Sequence, residues 1–396
     1  MALSARLLIL ICSTSACWAF SWGLGTQVVT HWLKSLDCTD TVIGLAHSFY
    51  YFGVAAGSFA VPSLTRRFGP AHCATFGMIA TGMTIATFPL GSEPATWYLL
   101  RFLTGVASAL SLVPLETIVS RESTPEKKTT NFAFYGVSLT VGGALGIGVG
   151  LDVFGPGDVM AFLVGAAIPA GAGVSLGIGM WRIPRPAMRI EDTSELGWIG
   201  SFLSYGTAWF QGFLEGGMIS FLSLFLIARG FSSEMAGVLM GATMIGVIVF
   251  QVPVGWLADR WGKAPLLLSC YGVVALGLLA IPTLSHAVAL AASLFVFGAC
   301  TGAMYPLGLS LLGDRLPDSA LPRAYAWYLA IECIGSQAGA AAMGYARDWW
   351  GGEAMFAVGL AALVAVLTAW LGLRQIHGHL TRSTARAVSE HQRQAA

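Results

Sequence analysis

Four ionisable side chains stand inside long apolar stretches of this 396-residue sequence: Arg101, Glu116, Glu215 and Glu332. On insertion scales a charge at the centre of a bilayer costs about 2.5 to 3.5 kcal/mol, so such residues commonly bind solutes or move protons. The apolar stretches contain no cluster of metal ligands, no nucleophile beside a base and no cofactor motif. The chemistry predicted is therefore binding and proton transfer, with no enzyme activity, no cofactor and no metal.

Two of the glutamates stand one helical turn from another polar residue. Gln211 precedes Glu215 by four residues, and Tyr328 precedes Glu332 by four. Residues four apart share a helix face, so each pair can line a cavity between helices. Both glutamates are candidates for proton exchange. The alternative is that each is a protonated or hydrogen-bonded residue that only joins helices.

Three further polar residues are candidate cavity groups. Arg101 either faces a cavity or extends along the membrane to the headgroups, because it lies only about two turns from a predicted helix end. His47 is either a proton relay or a hydrogen-bonded packing residue. Gln27 is a candidate cavity contact.

Glu116 is predicted to act as a gate or structural residue rather than as part of a solute site. It lies near the end of its apolar stretch, on the side that carries Arg66, Arg67 and Arg121. It could form an ion pair with one of these arginines.

Composition places the chain in a membrane. It is 56% hydrophobic and only 10% charged, whereas soluble domains carry about 25% charge. A spanning helix needs about 20 apolar residues, and continuous runs favour helices over a barrel. Twelve such runs are predicted, at residues 7–33, 41–64, 71–91, 95–119, 130–151, 158–181, 198–228, 234–257, 264–283, 287–312, 321–345 and 353–374.

The distribution of lysine and arginine predicts the orientation. With an even number of spans, one face receives most of the basic residues, and by the positive-inside rule this face and both termini are cytoplasmic. The other face receives only Lys34, Arg229 and Arg347. The net charge of +1 is spread along the chain and indicates no nucleic-acid partner. Seven cysteines lack paired spacing, so no disulfide framework is predicted.

The sequence also contains an internal repeat. A gapless shift of 193 residues superposes Arg67-Phe68-Gly69 on Arg260-Trp261-Gly262. The same shift pairs four glycines of the first half with glycines of the second, namely Gly53 with Gly246, Gly105 with Gly298, Gly142 with Gly335 and Gly146 with Gly339. Transporter folds are often built from such repeats.

Four segments are predicted from this repeat. Residues 1–182 and 198–375 form two six-helix bundles, and residues 183–197, which contain charges and prolines, form a cytoplasmic linker. Residues 376–396 form a polar cytoplasmic tail that is expected to be disordered.

One charged turn carries a family resemblance. The stretch from Gly255 to Lys263, Gly-Trp-Leu-Ala-Asp-Arg-Trp-Gly-Lys, resembles the loop signature of the major facilitator superfamily, including Asp259, Arg260 and Gly262. The resemblance implies an all-α membrane protein with twelve helices in two pseudo-symmetric six-helix bundles. It also implies transport by alternating access and a conformational latch at this turn. Further stretches resemble the small bacterial drug and sugar permeases of the superfamily.

The first-half copy of the signature is altered. It keeps Arg67 and Gly69 but has Pro62 in place of glycine and Arg66 in place of aspartate. We therefore expect the latch chemistry to concentrate at Asp259 and Arg260.

The repeat also predicts one mixed polar and aromatic face. The 193-residue shift places Trp18 and Trp22 opposite Gln211 and Glu215. Two indoles, an amide and a carboxylate would suit an amphipathic or aromatic solute, and also a cation.

These features favour a secondary active transporter. The expected substrate is a small organic solute. The protein is expected to be a symporter or antiporter of a bacterial inner membrane, with protons as candidate coupling ions, and to act as a monomer. The competing hypothesis is a transporter-like sensor or lipid-handling membrane protein, which the altered first loop motivates.

Overall fold

The computed structural model describes residues 5–38, 40–152, 158–180 and 198–394. The predicted linker at 183–197 lies outside these residues. Each of the twelve apolar runs corresponds to one α-helix. The helices are α1 Ala5–Ser35, α2 Asp40–Phe68, α3 Pro70–Thr87, α4 Pro94–Glu122, α5 Lys128–Asp152, α6 Val159–Met180, α7 Trp198–Ala228, α8 Ser233–Trp261, α9 Lys263–Ala280, α10 Ala287–Arg315, α11 Leu321–Trp350 and α12 Ala354–Gln394.

Nine of the described helices are long and apolar enough to cross a membrane, and α7, bent by 46°, is a tenth if it counts as one span. The helices that fall short of this test are α2 and α11. They carry polar residues such as His47 and Glu332 in their length. These two helices pack against each other, so their polar faces need not meet lipid.

The last helix differs from the expectation for the tail. α12 continues to Gln394, through the segment that was expected to be disordered from residue 376. Alanine, arginine and glutamine recur in this segment, and these residues have high helix propensity. A helix that is already formed in the last span can extend through them without a new nucleation step.

Helix packing repeats between α1–α6 and α7–α12. In the first half α1 packs on α5 and α6, α2 on α4, and α3 on α4 and α6. The corresponding helices of the second half pack in the same pairs. Between the halves, α2 meets α11 and α5 meets α8, so the interface repeats as well.

Glycines allow the helix backbones of each half to touch. A Cβ atom on Gly146 of α5 would overlap the carbonyl oxygen of Phe20 on α1, and one on Gly339 of α11 would overlap that of Phe213 on α7. The same holds for the pairs Gly53 and Gly246, Gly105 and Gly298, and Gly142 and Gly335. All four glycine pairs of the predicted repeat therefore mark backbone contacts at equivalent positions.

The turns between helices define two faces. Consecutive helices alternate in direction, so the ends of α2, α4, α8 and α10 and the starts of α3, α5, α9 and α11 share one face. We call it the basic face, because it carries Arg66, Arg67, Arg121, Lys128 and Lys263 among others, and we call the opposite one the far face. A single apolar cluster joins both halves towards the basic face through side chains such as Val119, Phe132, Leu312 and Tyr325.

The glycine contacts give a test of the repeat. We expect Gly146→Ala and Gly339→Ala each to lower the free energy of unfolding by about 1 to 3 kcal/mol, because the added methyl group forces two backbones apart. Gly148→Ala is the matched control on α5, since its Cβ would meet no atom within 4 Å. Thermal unfolding in detergent measures the difference; equal melting temperatures for the three variants would contradict the close packing.

Candidate functional site

Two glutamates of the second half meet a tyrosine of the first half in the middle of the molecule. Glu215 lies within electrostatic reach of Glu332 and Cys333 on α11 and of Tyr51 on α2. Glu332 is half-buried, but Glu215 is exposed. An exposed carboxylate with neighbours from both halves lies in a cleft that water can enter. Two carboxylates so near each other suit the uptake of a proton.

Glu116 extends this cluster. Among the described residues it forms no ion pair with an arginine. Glu116 is fully buried and accepts a hydrogen bond from Tyr305 of α10, across the two halves. Its second carboxylate oxygen has no partner, and Glu332 lies within electrostatic reach. Of the arginines that were expected to pair with it, Arg67 lies over the Phe68 ring, and Arg121 lies 3.8 Å from Asp318. Arg66 and Arg67 are exposed and Arg121 is half-buried beside Asp318, whereas α4 turns Glu116 inward.

Arg101 is buried rather than extended towards the headgroups. It is 5% exposed, and its guanidinium lies 3.2 Å from Nδ1 of His47 and 5.9 Å from the centre of the Tyr50 ring. A guanidinium only donates, so Nδ1 accepts, and the Nε2–H of His47 is left to donate to Thr30 at 2.9 Å. His47 is therefore a neutral ring that orients the guanidinium of Arg101. No carboxylate among the described residues pairs with Arg101.

The remaining cavity candidates do not form one group. Trp22 lines a small pocket with Arg101, and Tyr328 packs on Tyr305 with ring centres 5.9 Å apart. Trp18 and Gln211 each keep a buried polar atom without a hydrogen-bond partner, and Gln27 is half-buried. In the part of the chain that the structure describes, no contact joins Trp18 or Trp22 to Gln211 or Glu215.

Asp259 joins the two halves at the basic face. Its carboxylate accepts the backbone N–H groups of Thr129 at 3.0 Å and Thr130 at 2.9 Å, and the Thr130 hydroxyl at 2.8 Å. These N–H groups belong to the first turn of α5 and have no partner within the helix. The positive end of the helix dipole also favours a carboxylate there.

A second layer of charge surrounds this contact. Lys128 donates to the Gly313 carbonyl at 3.1 Å and lies 3.3 Å from Asp314, which also pairs with Lys263. Thr129 and Ser310 share a hydrogen bond of 2.7 Å. Lys263 therefore reaches the first half through Asp314. The sequence interpretation missed Lys128, Thr129 and Asp314, which lie outside the family signature.

The other residues of the signature shape the turn. Gly255 lies against Thr129 and Ala133 of α5, and its Cβ would come within 2.8 Å of the Ala133 side chain. Gly262 and Gly69 adopt positive φ angles of 100° and 86° between helices, which favours glycine.

Arg260 does not join the two halves. Its guanidinium lies 3.9 Å from the centre of the exposed Trp256 ring, on its own helix. The expectation that Arg260 shares the cross-half contact with Asp259 is therefore not met by this geometry.

The contacts between the halves that the described residues make lie towards the basic face. The hydrogen bonds, ion pairs and ring contacts found between the halves in the described chain involve the ends of helices at the basic face or the buried layer above them. At the far face, Arg229 pairs with Glu353 at 2.6 Å and donates to the carbonyls of Pro282 and Leu284, all within the second half. Glu215, in the middle of α7, lies on the far-face side of the contacts that join the halves.

Comparisons with known proteins agree with this architecture. A family model described as Major Facilitator Superfamily matches residues 9–227 and 197–393. The uncharacterized MFS-type transporter YfkF of Bacillus subtilis is 24% identical over 327 residues, which cover 80% of this chain and 81% of the relative. The uncharacterized MFS-type transporter YE1530 of Yersinia enterocolitica is 26% identical over 353 residues, with coverages of 85% and 88%.

Two solved structures share the fold. A variant of the fucose:proton symporter FucP of E. coli superposes with a TM-score of 0.74 at 14% identity, covering 92% of this chain and 98% of that one. The human organic anion transporter MFSD10 has a TM-score of 0.73 at 13% identity, with coverages of 92% and 99%.

The geometry of the latch predicts the effect of Asp259→Asn. The asparagine amide has only one acceptor oxygen and no negative charge, so it cannot replace both oxygens of the carboxylate. Charge-assisted hydrogen bonds of the kind that it loses are worth about 1.5 to 3 kcal/mol. We expect the basic face to open at least tenfold more often, and more than after any single change from Pro62 to Arg66. Spin labels at Lys127 and Trp261, in a cysteine-free background, report the separation of α5 and α8.

Arg260→Gln is the control for this measurement, because the ring contact of Arg260 with Trp256 lies within its own helix. An unchanged distance distribution in Asp259→Asn, or an equal shift in Arg260→Gln, would contradict the assignment of the latch to Asp259.

Proposed function

The chain belongs to the major facilitator superfamily and is a multi-pass membrane protein, and from that premise we propose that it is a secondary active transporter of a small organic solute that works by alternating access. The observation that carries the proposal is the position of Glu215. This exposed carboxylate interacts electrostatically with Tyr51 of the first half and Glu332 of the second, on the far-face side of the contacts that close the basic face.

The closed face supports a rocking motion between two states. Access from the basic face requires that α5 leave Asp259 and that Lys128 leave Asp314. In this closed arrangement Lys128 and Thr129 are buried, whereas Asp259 is half-buried and Asp314 is exposed. Water can satisfy these polar groups after they separate. Each half is held together by its own backbone contacts, so the halves can move as two bodies.

Proton coupling is proposed at Glu215 and Glu332. Glu215 meets water in the open cleft, and Glu332 lies on the adjacent helix with Glu116 beyond it. Protonation of this cluster changes the net charge of the cleft, and therefore the balance between states that expose it to water and states that bury it. Arg101 supplies the opposite charge within the first half.

The orientation and surroundings are also proposed. The basic face is cytoplasmic by the positive-inside rule. The membrane is a bacterial inner membrane, a proposal that the bacterial origin of the two relatives supports, and the chain acts as a monomer. The names of FucP and MFSD10 point to a sugar with protons and to organic anions for those two proteins, and both classes belong in the first solute screen.

Uptake into proteoliposomes tests the coupling. A solute is first found by screening a library for a rise in melting temperature, and its uptake is then measured with and without an imposed proton gradient. We expect the gradient to stimulate uptake in the wild type, and Glu215→Gln or Glu332→Gln to lose at least about 90% of this stimulation, because neither amide binds a proton.

Glu126→Gln is the matched control, since Glu126 is an exposed carboxylate in the turn before α5. Gradient-stimulated uptake that persists in both cleft variants would contradict proton coupling at these residues. A library in which no solute binds or moves would favour the sensor hypothesis instead.

A further inference from the structure

The repeat places a second inter-half contact opposite the latch, with different chemistry. Arg66 stands 193 residues before Asp259, and Pro322 and Arg323 stand 193 residues after Thr129 and Thr130. Pro322 has no N–H group to donate. Where the latch has a carboxylate and two donors, the meeting point of α2 and α11 has two guanidinium groups.

These two arginines have no acidic partner among the residues that the structure describes. Both are exposed, and no acidic side chain among the described residues pairs with either of them. Two cations that face each other across an interface repel, unless a counter-ion lies between them. The contact that would be equivalent to the latch therefore requires an acid that the described residues do not supply.

A cavity is lined by both Arg66 and Arg323. It measures about 340 Å³ and is lined by Arg66 and Arg323 together with Ser63, Phe59 and Trp327. The rings of Phe59 and Trp327 pack edge to face, with centres 4.8 Å apart, and Phe59 is 57% exposed. The cavity thus has a cationic, hydroxyl-bearing part and an aromatic wall, at the end of the membrane-spanning region.

We infer that this cavity binds a phosphate group, which bridges Arg66 and Arg323 and joins α2 to α11 as Asp259 joins α8 to α5. Guanidinium groups bind phosphate oxygens through paired, charge-assisted hydrogen bonds. The phosphate comes from an anionic lipid headgroup or from the free ion. The aromatic wall favours the lipid, whose acyl chains would cover Phe59.

Binding to delipidated protein in a neutral detergent tests the site. The probes are a short-chain phosphatidylglycerol, phosphatidylcholine of the same chain length, and inorganic phosphate, read by native mass spectrometry and melting temperature. We expect phosphatidylglycerol to bind and raise the melting temperature, and phosphatidylcholine to bind at least tenfold more weakly. If inorganic phosphate without lipid produces the full rise in melting temperature, the site is assigned to the free ion.

Charge variants separate this site from general electrostatic attraction. Arg66→Gln and Arg323→Gln should each weaken phosphatidylglycerol binding about tenfold, the equivalent of one charge-assisted hydrogen bond. Arg67→Gln is the matched control, because Arg67 is also exposed but does not line the cavity. Arg66→Asp restores the acid of the signature. The melting temperature of this variant should therefore no longer depend on phosphatidylglycerol or on inorganic phosphate.

The inference is overturned if no phosphate-bearing probe binds the wild type, or if Arg66→Gln and Arg323→Gln bind phosphatidylglycerol as tightly as Arg67→Gln does. These measurements read binding alone, so they are independent of the proposed transport activity.

Discussion

The contact between the Asp259 carboxylate and the start of α5 is the interaction on which the closed basic face depends. It satisfies two backbone N–H groups that a helix leaves free and places a negative charge at the positive end of the helix dipole. The ion pairs of Lys128 and Lys263 with Asp314 gather around it. Since these contacts join the halves on one face, the cleft that contains Glu215 can remain open on the other.

Lipid imposes a second constraint, because charged groups in the spans must be satisfied by other protein groups or by water. The chain meets it in three ways. Arg101 is held by a neutral His47, Glu116 receives a phenol hydrogen bond from Tyr305, and Glu215 faces the open cleft. Two atoms of these charged groups, the second oxygen of Glu116 and Nε of Arg101, are buried without a hydrogen-bond partner.

Much of the fold could be predicted from the sequence, because length, hydropathy and glycine spacing are local signals. The twelve helices and the glycine pairs of the repeat lie where they were expected. The partners of Asp259 could not be predicted, since a free backbone N–H is offered by every residue type except proline. Arg260 was assigned to the latch because it belongs to the signature, but its geometry depends on Trp256, one turn away. The cross-half bond of Glu116 depends on tertiary packing alone.

The backbone contacts at glycines have a mechanical consequence. Where two helices touch through main-chain atoms, as at Gly146 on Phe20 and Gly339 on Phe213, no flexible side chain lies between them to absorb a displacement. Each half is therefore stiff where these helix pairs touch. In the proposed rocking motion, such a half transmits a small tilt at one end to the other as a lever does. A separation of a few ångströms at Asp259 would be converted directly into narrowing at the opposite mouth of the cleft.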